Sequence, residues 1–296
     1  MSMPKSDRLR RWLGYLLLLH PGPSAVCTLV TAVSGWSAWR QTLPKDRPTG
    51  SWARRLAAAS AAMALAQMST GVLNDAFDAP WDRIHQSYKP IAAGSVPRRR
   101  AWLIGIAFGF ASVALASRAG SRALRLMLLG LASGWAYSLG LSRTPASFLP
   151  FASGLATVPL LGPAAVRVRA PAQGQVAVMA AGLGVGLHLA NGGPDIERDR
   201  LAGRRSLPVL LGDRGSRRAS HLLLGAGAVA VALSAPRSGR AWAWAGSGLA
   251  AALVLADWLA PRSVRSRGEH PFVVPTLAGG AVAGAWLLGR ARGAPS

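Results

Sequence analysis

Long apolar stretches constrain the fold of this chain more than any other feature of its sequence. A helix needs roughly 17 to 25 apolar residues to cross a bilayer, and such stretches recur along the whole chain. A soluble core does not require so many of them in a chain that is 51% hydrophobic and 15% charged. We therefore predict an all-α polytopic membrane protein with about nine transmembrane helices around a central cavity. The candidate spans cover residues 14–38, 56–74, 101–117, 123–141, 146–166, 174–193, 219–235, 241–260 and 271–289.

The sequence predicts a single membrane domain that covers residues 1–296 and includes a basic segment at residues 1–11. No linker or low-complexity segment divides it. The first apolar run continues through Pro21 and Pro23 without a small-residue cleavage site, so we predict a retained, kinked helix rather than a signal peptide. Cys27 is the only cysteine, which excludes a disulfide or a thiolate metal site within one chain.

The net charge of +23 is explained by membrane topology rather than by nucleic acid as a partner, because most of it is arginine between apolar spans. If residues 1–11 are cytoplasmic, the cytoplasmic loops carry the larger share of basic residues, although the basic segment 40–55 falls outside. We therefore expect an integral, multi-pass protein of the cell membrane with no obligate protein partner. The expected cytoplasmic set is Lys5, Arg8, Arg10, Arg11, Arg83, Lys89, Arg98, Arg99, Arg100, Arg143, the run 198–218, Arg262, Arg265 and Arg267.

Six of the eleven acidic residues fall in two short windows, at 75–82 and 195–199, within two long polar segments, at about 75–100 and 194–218, that this topology places on one membrane face. Each segment begins with the pattern N-x-x-x-D-x-x-x-D-R. On a helix, a four-residue spacing aligns the side-chain oxygens on one face. The pattern comprises Asn74, Asp78 and Asp82 in the first segment and Asn191, Asp195 and Asp199 in the second, with Asp75 and Glu197 beside them.

Asn and Asp supply the hard oxygen ligands that Mg²⁺ prefers, so two such columns predict two magnesium sites. A single column could equally consist of helix caps or solvated loop residues, but a second copy on the same face favours a binding site. Pro80 and the segment 192–194 interrupt the columns, so we expect neither to be a regular helix throughout. Lys89 and Arg205 follow the two acidic patterns, where a cation would contact phosphate oxygens; the alternative is that they only add to the positive charge of the cytoplasmic face.

These residues resemble the motifs of the UbiA-type superfamily of intramembrane prenyltransferases. The first matching motif is Asn74-Asp75-x-x-Asp78-x-x-x-Asp82, followed by Lys89-Pro90-Ile91-x-x-Gly94. The second is Asp195-Ile196-Glu197-x-Asp199-Arg200-x-x-Gly203, followed by Ser206-Leu207-Pro208 and Gly212. A third, Tyr137-Ser138-x-x-Leu141-Ser142-Arg143, has Ser142 where many relatives carry lysine. Arg198 stands where glycine is common.

The resemblance implies transfer of a prenyl group from a prenyl diphosphate, with Mg²⁺ as cofactor and a small acceptor in the membrane. It implies that Asp78, Asp82, Asp195 and Asp199 are catalytic and bind metal together with Asn74 and Asp75. Lys89, Arg205 and Arg143 would contact the diphosphate at the cytoplasmic mouth of a lipid-open cavity. Tyr137, His188 and Asn191 are weaker candidates for the cavity wall: Tyr137 as a cation-stabilising ring or an interfacial anchor, His188 as a base or a packed side chain.

Three functions remain open from the sequence. The first is prenyl transfer to an aromatic or quinone-precursor acceptor. The second is transfer to a non-aromatic acceptor, such as a lipid alcohol, or cyclisation of the prenyl chain. The third is transport of a metal ion, which would place acidic residues near mid-membrane on broken helices. The acids here follow apolar spans on one face, which favours an enzyme.

Overall fold

The computed structural model describes residues 5–46, 50–169, 173–235, 237–259 and 273–291. These residues form helices joined by turns and short loops, without a β-strand among them, which confirms the all-α prediction. The helices are α1 Lys5–Leu18, α2 Pro21–Gln41, α3 Trp52–His85, α4 Arg98–Ala119, α5 Ser121–Ser138, α6 Leu149–Ala165, α7 Gln173–Gly192, α8 Ile196–Leu201, α9 Leu207–Ser234, α10 Arg240–Leu259 and α11 Val273–Ala291.

Every candidate span overlaps one of these helices, and several are long and apolar enough to cross a membrane. Four helical stretches in the described residues meet that condition: 52–85, 98–119, 173–201, which includes the 3-10 turn between α7 and α8, and 240–259. The stretch 12–18 and helix α2 bend by 46° at their junction and would form a fifth, which agrees with the predicted kinked first helix. The count of nine stays a prediction, and Arg262, Arg265 and Arg267 lie outside the described residues.

Neighbours in sequence are neighbours in space from α3 to α7, and α9, α10 and α11 form a further packed group. α11 also contacts α2 and α7, so this group closes onto the earlier helices. Because successive helices return through the bundle, the connections after α3, α5 and α7 emerge at the same end. Those are the connections that follow or contain the predicted site residues.

Helices α2 and α6 approach each other through small residues. A Cβ atom added at Gly162 would lie 2.1 Å from the carbonyl oxygen of Thr31 and 2.6 Å from the backbone nitrogen of Gly35. Thr31 fixes the same contact, because its buried hydroxyl donates to the carbonyl of Val158 at 3.2 Å. The nearest atoms that the added Cβ would meet are all backbone atoms, so no flexible side chain can move aside to make room for it.

We expect Gly162→Ala to destabilise the protein by about 1–3 kcal/mol, because the methyl group must push the two helices apart. Gly154 on the same helix is the matched control, since its added Cβ would meet only Ser133 Cβ at an ordinary 3.7 Å. The midpoint of thermal unfolding in detergent should fall for Gly162→Ala and hold for Gly154→Ala. Equal midpoints for the two variants would contradict this packing.

The structure corrects the expected break at Pro80, because α3 continues as a helix to His85. Proline removes the hydrogen bond that its N–H would have given to the carbonyl four residues earlier. That carbonyl, of Ala76, instead accepts a hydrogen bond from Arg98 Nε at 2.7 Å. The polar segment after the first acidic pattern is therefore shorter than predicted and covers 86–97. The break at 192–194 is confirmed: α7 ends at Gly192 and a 3-10 turn, Gly193–Asp195, precedes α8.

Candidate active site

The first acidic cluster occupies the last three turns of α3. Asn74, Asp78 and Asp82 follow one another at helical spacing, and Asp75 lies beside them. Asp75 and Asp82 are buried, whereas the side chain of Asp78 is 27% exposed. Ser138, at the end of α5, donates from its hydroxyl to Asn74 Oδ1 at 3.4 Å. The cluster therefore has two buried carboxylates and one that faces open space.

Lys89 is folded back onto this cluster by the loop 86–97. Its Nζ lies 3.1 Å from Asp82 Oδ2 and 3.3 Å from Asp75 Oδ1. The loop is anchored by buried Ile91 and Val96, which belong to an apolar cluster with α1, α3 and α4. Burial alone would lower the pKa of Lys89, but the carboxylates of Asp75 and Asp82 outweigh burial and raise that pKa above its usual value. Lys89 is thus a fixed cation at neutral pH.

The second cluster is spread over three elements rather than one helix face. Asn191 is exposed in the last turn of α7, Asp195 ends the 3-10 turn, and Asp199 lies in α8. Arg198 pairs with Asp195 one turn away, and Arg204 Nη1 lies 3.0 Å from Asp199 Oδ1. The carboxylate of Asp195 is the more open of the two, at 34% exposure.

A helix cap explains why Arg204 reaches Asp199. Gly203 adopts a left-handed φ of 72°, which glycine takes without steric cost. Its N–H donates to the carbonyl of Arg200 at 3.0 Å, and the N–H of Arg204 donates to the carbonyl of Asp199 at 2.9 Å. These two bonds are the Schellman pattern, which folds the residue after the glycine back over the last helical turn.

Two arginines connect the clusters across the end of the bundle. Arg143, in the 3-10 turn after α5, contacts Asp78 Oδ1 through Nη2 at 3.3 Å. The guanidinium of Arg204 lies 4.1 Å from the ring centre of Trp81 on α3. The two loops are also joined directly, since the N–H of Arg205 donates to the carbonyl of Arg143 at 3.0 Å. The sequence placed both clusters on one face, and these contacts bring them together.

The diphosphate contact expected of Arg205 stays a prediction, because the described contacts of this residue are made by its backbone. Its side chain is exposed, and its backbone rather than its guanidinium bonds to the Arg143 loop. Arg204, which the sequence argument passed over, contacts both an acid and an aromatic ring of the site. Gly203 was the signal that could have identified Arg204. A glycine just past the end of a helix predicts this cap, and this helix carries two acidic residues in its first turn.

Tyr137 and His188 meet behind the acidic clusters. The ring of Tyr137 packs edge-on against those of Phe151 and His188, with centres 5.2 and 5.9 Å apart. His188 Nε2 lies 2.9 Å from Ser147 Oγ, which also accepts the N–H of Leu207 at 2.9 Å. His188 Nδ1 is buried without a hydrogen-bond partner. The hydrogen bond at Nε2 therefore supports the alternative in which His188 is a packed side chain, whereas Nδ1 has no hydrogen-bond partner.

The donor set fits magnesium held jointly with a phosphate ligand. Within the described ranges, no three His, Cys, Asp or Glu side chains converge on one point as a closed metal site would require. Mg²⁺ usually takes one or two protein carboxylates and completes its shell with water and phosphate oxygens. Asp78 and Asp195, each partly exposed, offer that kind of open ligand.

Comparison with known proteins gives a consistent result. The family model described as UbiA prenyltransferase family matches residues 22–274. Digeranylgeranylglyceryl phosphate synthase of Natronomonas pharaonis is 28% identical over 211 residues, which are 70% of this chain and 72% of the relative. The protein of the same name from Pyrococcus abyssi is 29% identical over 143 residues, 48% of this chain and 51% of the relative.

Solved structures share the fold. A UbiA homolog from Archaeoglobus fulgidus bound to GPP and Mg²⁺ superposes with a TM-score of 0.65 at 20% identity, covering 93% of this chain and 98% of that one. The apo structure of a UbiA homolog from Aeropyrum pernix K1 gives 0.65 at 24% identity, covering 88% and 95%. At these identities, the likeness concerns the arrangement of helices.

Proposed function

Because the chain belongs to the UbiA prenyltransferase family, we propose that its clustered acids and arginines activate a prenyl diphosphate for transfer to an acceptor inside the membrane. One observation carries the proposal: two acidic clusters from distant parts of the chain meet at one end of the bundle, with Lys89 on the first cluster and with Arg143 and Arg204 between the two. A diphosphate is the ligand that needs both kinds of charge in one place.

The two clusters would hold Mg²⁺ through Asp78 and Asp82 on one side and Asp195 and Asp199 on the other, with Asn74 as an additional oxygen ligand. Bound there with the diphosphate, Mg²⁺ would neutralise charge that develops as the carbon–oxygen bond breaks. The solved homolog described as bound to GPP and Mg²⁺ supports this cofactor for the family.

The basic residues would contact carboxylates before the substrate binds and diphosphate oxygens afterwards. Without substrate, Lys89, Arg143 and Arg204 neutralise the carboxylates of the site. Diphosphate oxygens offer the same side chains stronger anionic partners, and a guanidinium can contact two oxygens at once. Arg205, whose exposed side chain follows Arg204, is in reach of the same end of the bundle.

The aromatic cluster behind the acids suits the prenyl end of the donor. The rings of Tyr137 and Phe151 and the buried His188 form an apolar wall that would exclude water, and an aromatic face stabilises a nearby cation. In the tautomer that donates Nε2–H to Ser147 Oγ, the Nδ1 of His188 is the unprotonated ring nitrogen and would accept the proton that an acceptor loses. Asn191, exposed one turn after His188, would line the entrance.

Two acceptor classes follow from different observations. The resemblance to the family suggests an aromatic or quinone-precursor acceptor first. The relatives named digeranylgeranylglyceryl phosphate synthase favour a lipid alcohol on a glycerol phosphate. Membranes containing the protein, incubated with Mg²⁺, prenyl diphosphates of several lengths and both acceptor classes, would distinguish them by the mass of the product. A cyclised prenyl product formed without an acceptor would instead identify cyclisation of the prenyl chain.

We expect Arg204→Ala to raise the KM for the prenyl diphosphate about tenfold or more, as loss of one charged hydrogen-bonding partner commonly does. Arg205→Ala is the matched comparison, and its KM should rise less than about threefold, because its side chain contacts neither cluster. Initial rates of pyrophosphate release at varied donor concentration measure both. A larger rise in KM for Arg205→Ala than for Arg204→Ala would contradict this expectation and support the diphosphate contact that the sequence predicts for Arg205.

The acidic end of the bundle is proposed to face the cytoplasm. The basic loop residues Arg83, Lys89, Arg98, Arg99 and Arg100 all lie at this end, as the positive-inside rule expects for a cytoplasmic face. Labelling of single cysteines introduced at exposed Tyr88 and at exposed Lys45, with a membrane-impermeant thiol reagent in intact cells, would test the orientation. Only the cysteine at position 45 should react.

A further inference from the structure

His20 lies at the junction of α1 and α2, close to the first acidic cluster. Its backbone φ is 48°, in the left-handed region that residues other than glycine seldom adopt. The junction is held by local bonds, since the carbonyl of His20 accepts from Ser24 N at 3.2 Å and Ser24 Oγ donates to the carbonyl of Leu19 at 3.2 Å. This conformation turns the side chain of His20 toward α3.

On α3, a glycine leaves the space that the imidazole occupies. A Cβ atom at Gly71 would lie 2.5 Å from His20 Cδ2 and 2.8 Å from Cγ. Gly71 is one helical turn before Asp75, so it lies on the same face of α3. The left-handed backbone of one residue and the missing side chain of another thus bring His20 to Asp75.

The two oxygens of Asp75 face two different partners, His20 through a hydrogen bond and Lys89 through an ion pair without a hydrogen bond. Oδ2 lies 3.0 Å from His20 Nε2, and Oδ1 lies 3.3 Å from Lys89 Nζ. The carboxylate is 4% exposed, so bulk water cannot replace either partner. Lys89 Nζ continues to Asp82 at 3.1 Å. A chain of contacts therefore runs from the α1–α2 junction through Asp75 to the cation of the site.

We infer that His20 is a positioning residue of the diphosphate site: it fixes the orientation of the Asp75 carboxylate and thereby the place of Lys89. The inference rests on the proposed role of Lys89 as a diphosphate contact. It also gives Asp75 a role distinct from metal binding, because both of its oxygens face partners on the protein.

Two substitutions separate this role from a merely structural one. Asn tolerates a left-handed backbone, so His20→Asn keeps the junction, but its shorter side chain cannot reach Asp75. Gln carries an amide N–H at about the reach of Nε2, so His20→Gln can restore the hydrogen bond. Ser24→Ala is the control, because it weakens the same junction without touching Asp75.

The first measurement is the chemical reactivity of Lys89, which requires no catalysis. The chain has only three lysines, Lys5, Lys45 and Lys89, and exposed Lys45 is an internal reference. Detergent-solubilised protein would be treated with acetic anhydride and acetylation at positions 45 and 89 compared by mass spectrometry. We expect the ratio for Lys89 to rise about threefold or more in His20→Asn and to return toward the wild-type ratio in His20→Gln.

The second measurement is the KM for the prenyl diphosphate. We expect it to rise about five- to tenfold in His20→Asn, with kcat changed less, and to recover at least in part in His20→Gln. Unchanged Lys89 labelling in His20→Asn would overturn the inference, and so would equal labelling in His20→Asn, His20→Gln and Ser24→Ala. Wild-type protein that turns over no prenyl diphosphate would refute the proposed function instead, while the labelling result would still decide whether His20 holds Lys89.

Discussion

Asp78→Asn and Asp195→Asn should each lower pyrophosphate release from a saturating prenyl diphosphate by about a hundredfold or more, the scale seen when one preorganised electrostatic group is lost from an active site. Asp78 and Asp195 have the most exposed carboxylate of their cluster. Asp78 pairs with Arg143 across the end of the bundle, and Asp195 pairs with Arg198 one helical turn away. The change to Asn keeps the shape of the side chain and removes its charge.

Glu197→Gln provides the matched control for the loss of one negative charge at this end of the molecule. Glu197 lies between Asp195 and Asp199 in sequence, but its side chain is 71% exposed and pairs with Arg200 at 2.8 Å. Its variant should keep its rate within about twofold, as surface substitutions usually do. If Asp78→Asn or Asp195→Asn retained more than a tenth of the wild-type rate, the carboxylates would not have the role proposed for them.

Lys89→Met has the second large expected effect, and it acts on both stability and activity. Asp75 and Asp82 are both buried and share Lys89 as a cationic partner. Removing one member of a buried ion pair commonly costs about 3–5 kcal/mol, because the remaining charge stays buried without compensation. The variant should unfold at a lower temperature and release pyrophosphate at about a hundredth of the wild-type rate or less.

A double variant separates the two effects. Lys89→Met combined with Asp75→Asn removes one of the two uncompensated carboxylates without changing the acids proposed to hold Mg²⁺, so thermal stability should recover in part while activity stays lost. Lys45→Met, which removes an exposed lysine of the opposite end, should change neither property. Recovery of activity in the double variant would mean that Lys89 serves the fold alone.

The sequence predicted the parts of this site that follow from helical spacing. Asn74, Asp78 and Asp82 share one face of α3 because they are four residues apart, and the Gly-Gly-Pro segment breaks the second column as expected. Pro80 was misjudged, because a proline near a helix end can be accommodated when another donor takes the freed carbonyl. Arg98 supplies that donor from a different helix, and a local rule could not foresee it.

The contacts of the cations required the folded chain. Arg204 rather than Arg205 meets Asp199 because the cap at Gly203 sets the direction of the loop. His20 reaches Asp75 only through a left-handed backbone and a space left by Gly71, and these features lie far apart in the sequence. Helical periodicity identifies residues that share a face, but it does not identify which side chain from another element will cover them.

We propose that this protein breaks the carbon–oxygen bond of a prenyl diphosphate at the paired acidic clusters. The most direct test is to follow pyrophosphate release and prenylated product together, with purified protein in liposomes, first with Mg²⁺ and then after its removal by EDTA. We expect equal amounts of pyrophosphate and product with Mg²⁺, none after chelation, and recovery when Mg²⁺ is restored. Movement of Mg²⁺ across the liposome membrane, with no pyrophosphate released from any donor, would contradict this proposal and favour a transporter.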